Sequence, residues 1–155
     1  MQVDSKDIKK FSPDISIDSS LTFGMKKKMK VPGFKDKSNL VPTIDENYIF
    51  DEETTTSILV GFKFNKKVLI QGLHGTGKSS HIEQVASRLN WPCLRINLDG
   101  HISRFDLLGK DSIVLKDNKQ VTTFKEGLLP WAIQNPVALV LDEYDAGRPD
   151  VMFVI

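Results

Sequence analysis

Cysteine is nearly missing from this chain. Cys93 is the only one, so no disulfide can close within these residues, and such usage fits a reducing compartment. No apolar run approaches the roughly 20 residues that cross a bilayer, and the N-terminus carries no apolar stretch of the secretory kind. These absences lead us to expect a cytoplasmic protein with no membrane partner. An excess of one charge is also lacking: 21 Lys and Arg against 20 Asp and Glu leave a net charge of +1, which gives no support to nucleic acid as the main partner. His74, His81, His101 and Cys93 do not fall at the spacings of a zinc site. What remains is an ordinary composition, 40% apolar and 26% charged, on 155 residues, enough for one domain with a proper core.

Against that background one stretch stands out. Lys67–Ser80 holds a short apolar run, Val68–Ile70, then Gly72, Leu73, His74, Gly75, Thr76, Gly77, Lys78, Ser79 and Ser80. Gly72–Ser79 matches the complete phosphate-loop pattern, and a helical pattern follows it. The glycines let backbone N–H groups turn inward around phosphate oxygens, and the following helix adds its positive end. Lys78 is placed to reach the outer phosphates and Ser79 to offer its hydroxyl to magnesium. Gly72–Ser80 are therefore the candidate ATP-binding residues. The run Val68–Gln71 reads as the first core strand.

Residues 1–40 show little periodicity. A short helix around Ile8 and Phe11 would end at Pro13, and nine lysines against five aspartates give a local charge of +4. The run Lys26–Lys30 has no interleaved aromatics to suggest base stacking and reads as a solvated face. Val31-Pro-Gly-Phe and Val41-Pro-Thr-Ile read as extended. Asp45–Glu53 reverses the charge, with Tyr48, Ile49 and Phe50 as an apolar interruption packed on the domain edge. Asp51 is the expected cap of a helix over Thr54–Phe62. We therefore place a boundary near residue 44, between an N-terminal appendage (1–44) with a basic segment and a nucleotide-binding core (45–155).

Beyond the loop, Ile82, Val85, Ala86 and Leu89 recur at helical spacing, with His81 expected on the solvated side. Asn90-Trp-Pro ends that helix and Cys93–Leu98 forms a second strand, with Cys93 a small core hydrophobe. A strand–helix–strand unit of this kind makes a right-handed crossover in a parallel sheet. Arg104, in the polar loop that follows, is open to a phosphate, a neighbouring subunit or solvent. Ile113–Leu115 and Gln120–Phe124 flank a turn and predict a projecting hairpin. Glu126–Gln134 reads as a short helix containing Pro130, with Trp131 in the core.

Val137–Leu141 then predicts a continuous buried strand that delivers Asp142 and Glu143 at its carboxyl end. An acid there can hold the magnesium–water shell beside Ser79, and the next can polarise water for attack on the terminal phosphate. The metal ligands are thus Ser79 and Asp142, the catalytic residues Glu143 and Lys78, and the cofactors ATP and Mg2+. The closing run Arg148–Ile155 looks like the first turns of a buried helix, which reads as a truncated product; a short strand closing the sheet is the alternative.

At this point the chain resembles the ATPase subunit of the aerobic, cobalt-inserting chelatase of cobalamin biosynthesis, an AAA+ family close to MoxR-like and magnesium-chelatase members. The resemblance runs over residues 20–155. It includes Phe23-Gly24, Met29-Lys-Val-Pro32, Gly72–Ser79, Ser80–Ala86, Arg88–Cys93, His101–Arg104, Leu108–Asp111, Leu129–Ala132 and Leu141–Phe153. It implies a P-loop AAA+ three-layer α/β sandwich with a central parallel sheet, truncated here before the helical lid. It also implies a homo-oligomeric ring, a von Willebrand-like metal-binding partner subunit and a large corrin-binding subunit. ATP hydrolysis would drive cobalt insertion into hydrogenobyrinic acid a,c-diamide. Lys78 and Ser79 would take the nucleotide and magnesium contacts, Asp142 the magnesium side and Glu143 the water. Arg148 is a candidate interface contact only. A MoxR-like ATPase serving another metal cofactor, a small-molecule kinase using Asp99 toward an acceptor hydroxyl, and an inactive binding module are the competing readings.

Overall fold

The computed structural model describes residues 12–116 and 119–155; the expected helix around Ile8 and Phe11 lies outside them. The described chain forms two compact units, residues 12–94 with Pro136–Val140, and Arg95–Asn135 with Leu141–Ile155.

The first unit opens with a feature that the sequence pattern concealed. Strands β1 (Ile15–Asp18) and β2 (Lys30–Gly33) pair antiparallel, Ile15 opposite Gly33 and Asp18 opposite Lys30. Between them Asp18 caps helix α1 (Ser19–Phe23) through the Ser20 amide, and Gly24 closes it in the left-handed region at φ 68°. Lys26, Lys27, Lys28 and Lys30 are exposed, as expected of a solvated basic face.

Helix α2 (Glu52–Phe64) begins where its cap was read. The Asp51 carboxylate accepts from the Thr54 amide at 2.8 Å, and Glu52 and Glu53 lie in the first turn, where the helix dipole favours them. Helix α3 (Lys78–Arg88) presents Val85, Ala86 and Leu89 inward, and Asn90 leaves it at φ 50°. Phe23, Met25, Val31, Ile58, Leu59, Val85 and Leu89 form one buried cluster, with Phe50 and Ile70 packed on it. A fully buried Leu or Val contributes about 1.5–3 kcal/mol, so this cluster is the main adhesive between the N-terminal hairpin and the two helices.

Two expectations fail here. Val68–Gln71 joins no strand ladder among the described residues, and Leu69 is 80% exposed. Extended backbone becomes a sheet strand only where a neighbour offers N–H and C=O partners. Instead Val68 lies against Gly61 of α2, and Ile70 alone reaches the core cluster. The second failure is His81: it is 7% exposed, not solvated, and its partners are described with the site below.

Strand β3 (Cys93–Asn97) follows Trp91-Pro92, and β6 (Ala138–Asp142) pairs with it. The Ala138 amide donates to the Pro92 carbonyl at 2.8 Å and the Leu98 amide to the Asp142 carbonyl at 2.9 Å. Both strands advance together, so the pair is parallel, as the α/β reading requires. Only Val140 of β6 is fully buried, its neighbours being half-buried, which corrects the expectation of a continuous buried strand. Cys93 is half-buried, and burial pushes its thiol up to about 12.

In the second unit, Ser103 and Asp106 make a reciprocal capping box for helix α4 (Arg104–Leu108). The hairpin is present as read: β4 (Gly109–Lys116) and β5 (Lys119–Glu126) pair antiparallel, Ile113 opposite Thr122. Helix α5 (Leu128–Gln134) carries Pro130 in its first turn, where no intrahelical N–H is needed, and buries Trp131. The 3-10 turn Tyr144–Ala146 leads to helix α6 (Pro149–Met152), whose Val151 packs with Leu98 and Leu107. The closing run is thus a helical turn rather than a strand. No described helix is long and apolar enough to cross a membrane.

Candidate functional site

Gly72–Ser80 lies in the first unit, and most of it is exposed. Gly75 and Gly77 both adopt φ 77°, a region that side chains rarely enter, and open space surrounds the position a Cβ would occupy at each. These two glycines give the loop its curl. Thr76 Oγ1 donates to the Leu73 carbonyl at 2.9 Å and braces the turn from inside. Gly77 is the N-cap of α3 and offers no side chain to the first-turn amides. Lys78 Nζ donates to the carbonyls of Gly72 at 2.9 Å and Leu73 at 2.7 Å. The loop therefore holds an ammonium beside a glycine-capped helix start, an arrangement with the charge and donors that a polyphosphate needs. Lys78 and Ser79 are half-buried and His74 is exposed.

The first turn of α3 is fixed by a contact that the sequence reading missed. His81 Nε2 lies 2.8 Å from the Thr55 hydroxyl, and Nδ1 lies 3.1 Å from the Tyr48 hydroxyl. The rings of Tyr48 and Phe50 meet the imidazole edge-on. Burial lowers the His81 pKa, and the nearby Asp51 carboxylate acts weakly the other way. A signal was available: His81 falls on the same helical stripe as Val85 and Leu89, four and eight residues on.

The acidic pair lies in the second unit. Asp142 ends β6 with its side chain 18% exposed. Both Nε, at 2.8 Å, and Nη2 of Arg95 donate to Asp142 Oδ2, while the Glu143 amide donates to Oδ1 at 3.1 Å. Glu143 is exposed and left-handed, at φ 50° and ψ 46°, a conformation that costs a non-glycine residue about 1–2 kcal/mol. Such an outlier at the end of a strand is how a side chain is re-aimed out of the sheet. Arg95 escaped the sequence reading, although a cation between Leu94 and Ile96 in an apolar strand is a visible anomaly.

The donor set suits magnesium. Among the described residues no three His, Cys, Asp or Glu side chains cluster into a protein cage. Magnesium on a nucleotide needs none, since phosphate and water supply most of its six oxygens and one or two protein oxygens complete the shell. Arg104 is exposed and stacks on Phe105 at 5.4 Å, and Arg148 pairs with Asp150 at 3.1 Å.

Comparison with known proteins gives the family. Residues 67–154, more than half of the chain, match the AAA domain of the dynein-related subfamily. The chain is 60% identical over 143 residues to the aerobic cobaltochelatase subunit CobS of Sinorhizobium, covering 92% of this chain and 43% of that protein. It is 30% identical over 113 residues to midasin of Dictyostelium discoideum, covering 73% of this chain and 2% of that protein. It is 32% identical over 88 residues to the denitrification regulatory protein NirQ of Stutzerimonas stutzeri, covering 57% and 30%. The chain thus spans less than half the length of each of these relatives. No solved structure matches it. The complete phosphate loop, the parallel β3–β6 pair ending in Asp142 and Glu143, and the matched region together show that the chain belongs to the AAA domain family, in its dynein-related subfamily.

Proposed function

We propose that the chain is the nucleotide-binding part of an ATP-hydrolysing subunit of an aerobic cobaltochelatase. The observation that carries this reading is the 60% identity to the cobaltochelatase subunit, which extends over 143 residues and so far beyond the phosphate loop. Lys78 and the Gly72–Ser80 backbone bind the triphosphate; Ser79 and Asp142 are the protein oxygens toward magnesium; Glu143 polarises the attacking water. Magnesium bound there would draw charge from the phosphoryl oxygens. The exposed and left-handed Glu143 supports the water-activating role, since a carboxylate turned toward solvent can accept a proton. Residue 44 is the proposed edge of the nucleotide-binding core, with the basic hairpin before it as an appendage. In the whole protein, subunits form a ring and act with a metal-binding and a corrin-binding subunit in the cytoplasm. Their product is cobalt inserted into hydrogenobyrinic acid a,c-diamide.

The test is cobalt insertion by the reconstituted complex with and without the full-length subunit; equal insertion in both would reject the assignment. A wider reading is a MoxR-like ATPase serving another metal cofactor, since the AAA domain match alone does not name the metal. Cobalt-specific insertion separates the two. Phosphate release from Mg-ATP without an acceptor separates both from a small-molecule kinase.

A further inference from the structure

Asp142 does not wait for a metal with bare oxygens. Both of its oxygens already accept hydrogen bonds: Oδ2 from two nitrogens of Arg95, Oδ1 from the Glu143 amide. We propose that Arg95 is a positioning residue that neutralises and orients Asp142 and competes with the divalent cation for Oδ2, so that Arg95 sets the magnesium concentration at which the site fills. This inference rests on the reading of Asp142 as the magnesium-side acid.

The geometry supports it in three ways. Position comes first: Arg95 sits in the middle of β3, the parallel neighbour of the strand that Asp142 ends, and the Leu98 amide bonds the Asp142 carbonyl at 2.9 Å. The backbone of the two strands therefore locks guanidinium and carboxylate into one register. Burial is the second support. With its side chain 18% exposed, Asp142 lies where an uncompensated charge is costly, and a cation beside it offsets that cost. The Arg95 side chain is 46% exposed, which leaves the guanidinium a route into solvent when another cation arrives. Connectivity is the third. Arg95 Nε and Nη2 both donate to Oδ2, and the Glu143 amide donates to Oδ1. Oδ2 accepts from two guanidinium nitrogens, which engage both of its lone pairs, so a cation entering there must displace the arginine.

A salt bridge that served stability alone would leave the magnesium requirement untouched when removed.

The test is a titration of magnesium into this chain with a fluorescent ATP analogue at fixed concentration, reading bound nucleotide against magnesium. Arg95→Met keeps the length and apolar stem but removes the competing charge. It should lower the half-saturating magnesium about threefold to tenfold, and Arg95→Lys should restore the wild-type value at least in part. Arg95→Gln serves as the second uncharged variant if Arg95→Met does not fold, as monitored by circular dichroism. Unchanged or raised half-saturating magnesium in the folded uncharged variant, with Asp142→Asn shifting it upward, would overturn the role of Arg95 and leave Asp142 in place. No shift with Asp142→Asn would instead reject Asp142 as the magnesium-side acid. Thermal melts in EDTA give a readout apart from the metal: Arg95→Met should lower Tm, and adding Asp142→Asn should recover most of that loss. Additive losses in the double variant would show that the two side chains do not act as a pair and would also overturn the proposal.

Discussion

Thr55 and His81 meet at 2.8 Å in the interior of the first unit and tie helix α2 to the opening turn of α3, three residues after Lys78. The contact makes the helix that follows the phosphate loop answerable to pH. Burial lowers the His81 pKa below its ordinary 6.5. The unfolded chain then takes up a proton near 6.5 while the folded chain does not, so stability is whole above that pH and falls as pH drops below it. Thermal melts from pH 8 to pH 5.5 should show the decline, and His81→Gln, which cannot titrate, should flatten it. A decline just as steep in His81→Gln would assign it to other groups.

Lys78→Ala should abolish most nucleotide binding, because one localised charge leaves the phosphate site. The fold should tolerate the change. Its two bonds go to carbonyls of the exposed loop, so Tm should move by no more than a loss of about 1 kcal/mol implies. Titration with a fluorescent ATP analogue, beside a thermal melt, checks both halves.

Glu143→Gln in the full-length assembly should retain ATP and slow its hydrolysis by about 10²–10⁴, the usual worth of a positioned acid or base. Phosphate release measured beside nucleotide retention would decide it; undiminished release would remove Glu143 from the chemistry. In the same position Glu143→Gly should raise stability by relieving the left-handed backbone, by up to about 1 kcal/mol.

Gly33→Ala tests how tightly the N-terminal hairpin is seated. A Cβ at Gly33 would lie 2.5 Å from Ile17 Cδ1 and 2.8 Å from the Leu89 carbonyl oxygen, and that carbonyl also accepts from the Phe34 amide at 3.0 Å. The side chain of Ile17 can move; the backbone oxygen cannot without breaking the bond to Phe34. Overpacking of this kind costs about 1–3 kcal/mol, which denaturant unfolding would register.

Cys93 should react slowly with iodoacetamide in the native chain at pH 8. Its thiol is pushed up to about 12, so only roughly one molecule in 10⁴ carries the reactive thiolate there. Adding denaturant should restore ordinary reactivity. Fast native labelling would contradict the burial.

Features set by neighbours in sequence are legible from the sequence. The Asp51 cap, the apolar stripe of α3 and the pairing of β4 with β5 each depend on residues close in sequence, and each matches its expectation. The strand-end placement of Asp142 and Glu143 was legible for the same reason, an apolar run and its last residue. What escaped depends on partners far along the chain. The pairing of β1 with β2 joins strands of four residues each, too short to show alternation. Arg95 finds Asp142 across 47 positions, and His81 finds Tyr48 across 33. Val68–Ile70 shows the converse: a short apolar run reads as a strand, but only a neighbouring ladder makes it one.

The two carbonyls beneath Lys78 have one more implication. An ammonium on a four-carbon stem ordinarily surrenders much rotational freedom when it grips an anion. Here Gly72 and Leu73 have already collected that side chain against the loop. Under the proposed function, an arriving phosphoryl oxygen would trade places with a carbonyl instead of taming a loose chain, and part of the entropic toll would fall at folding.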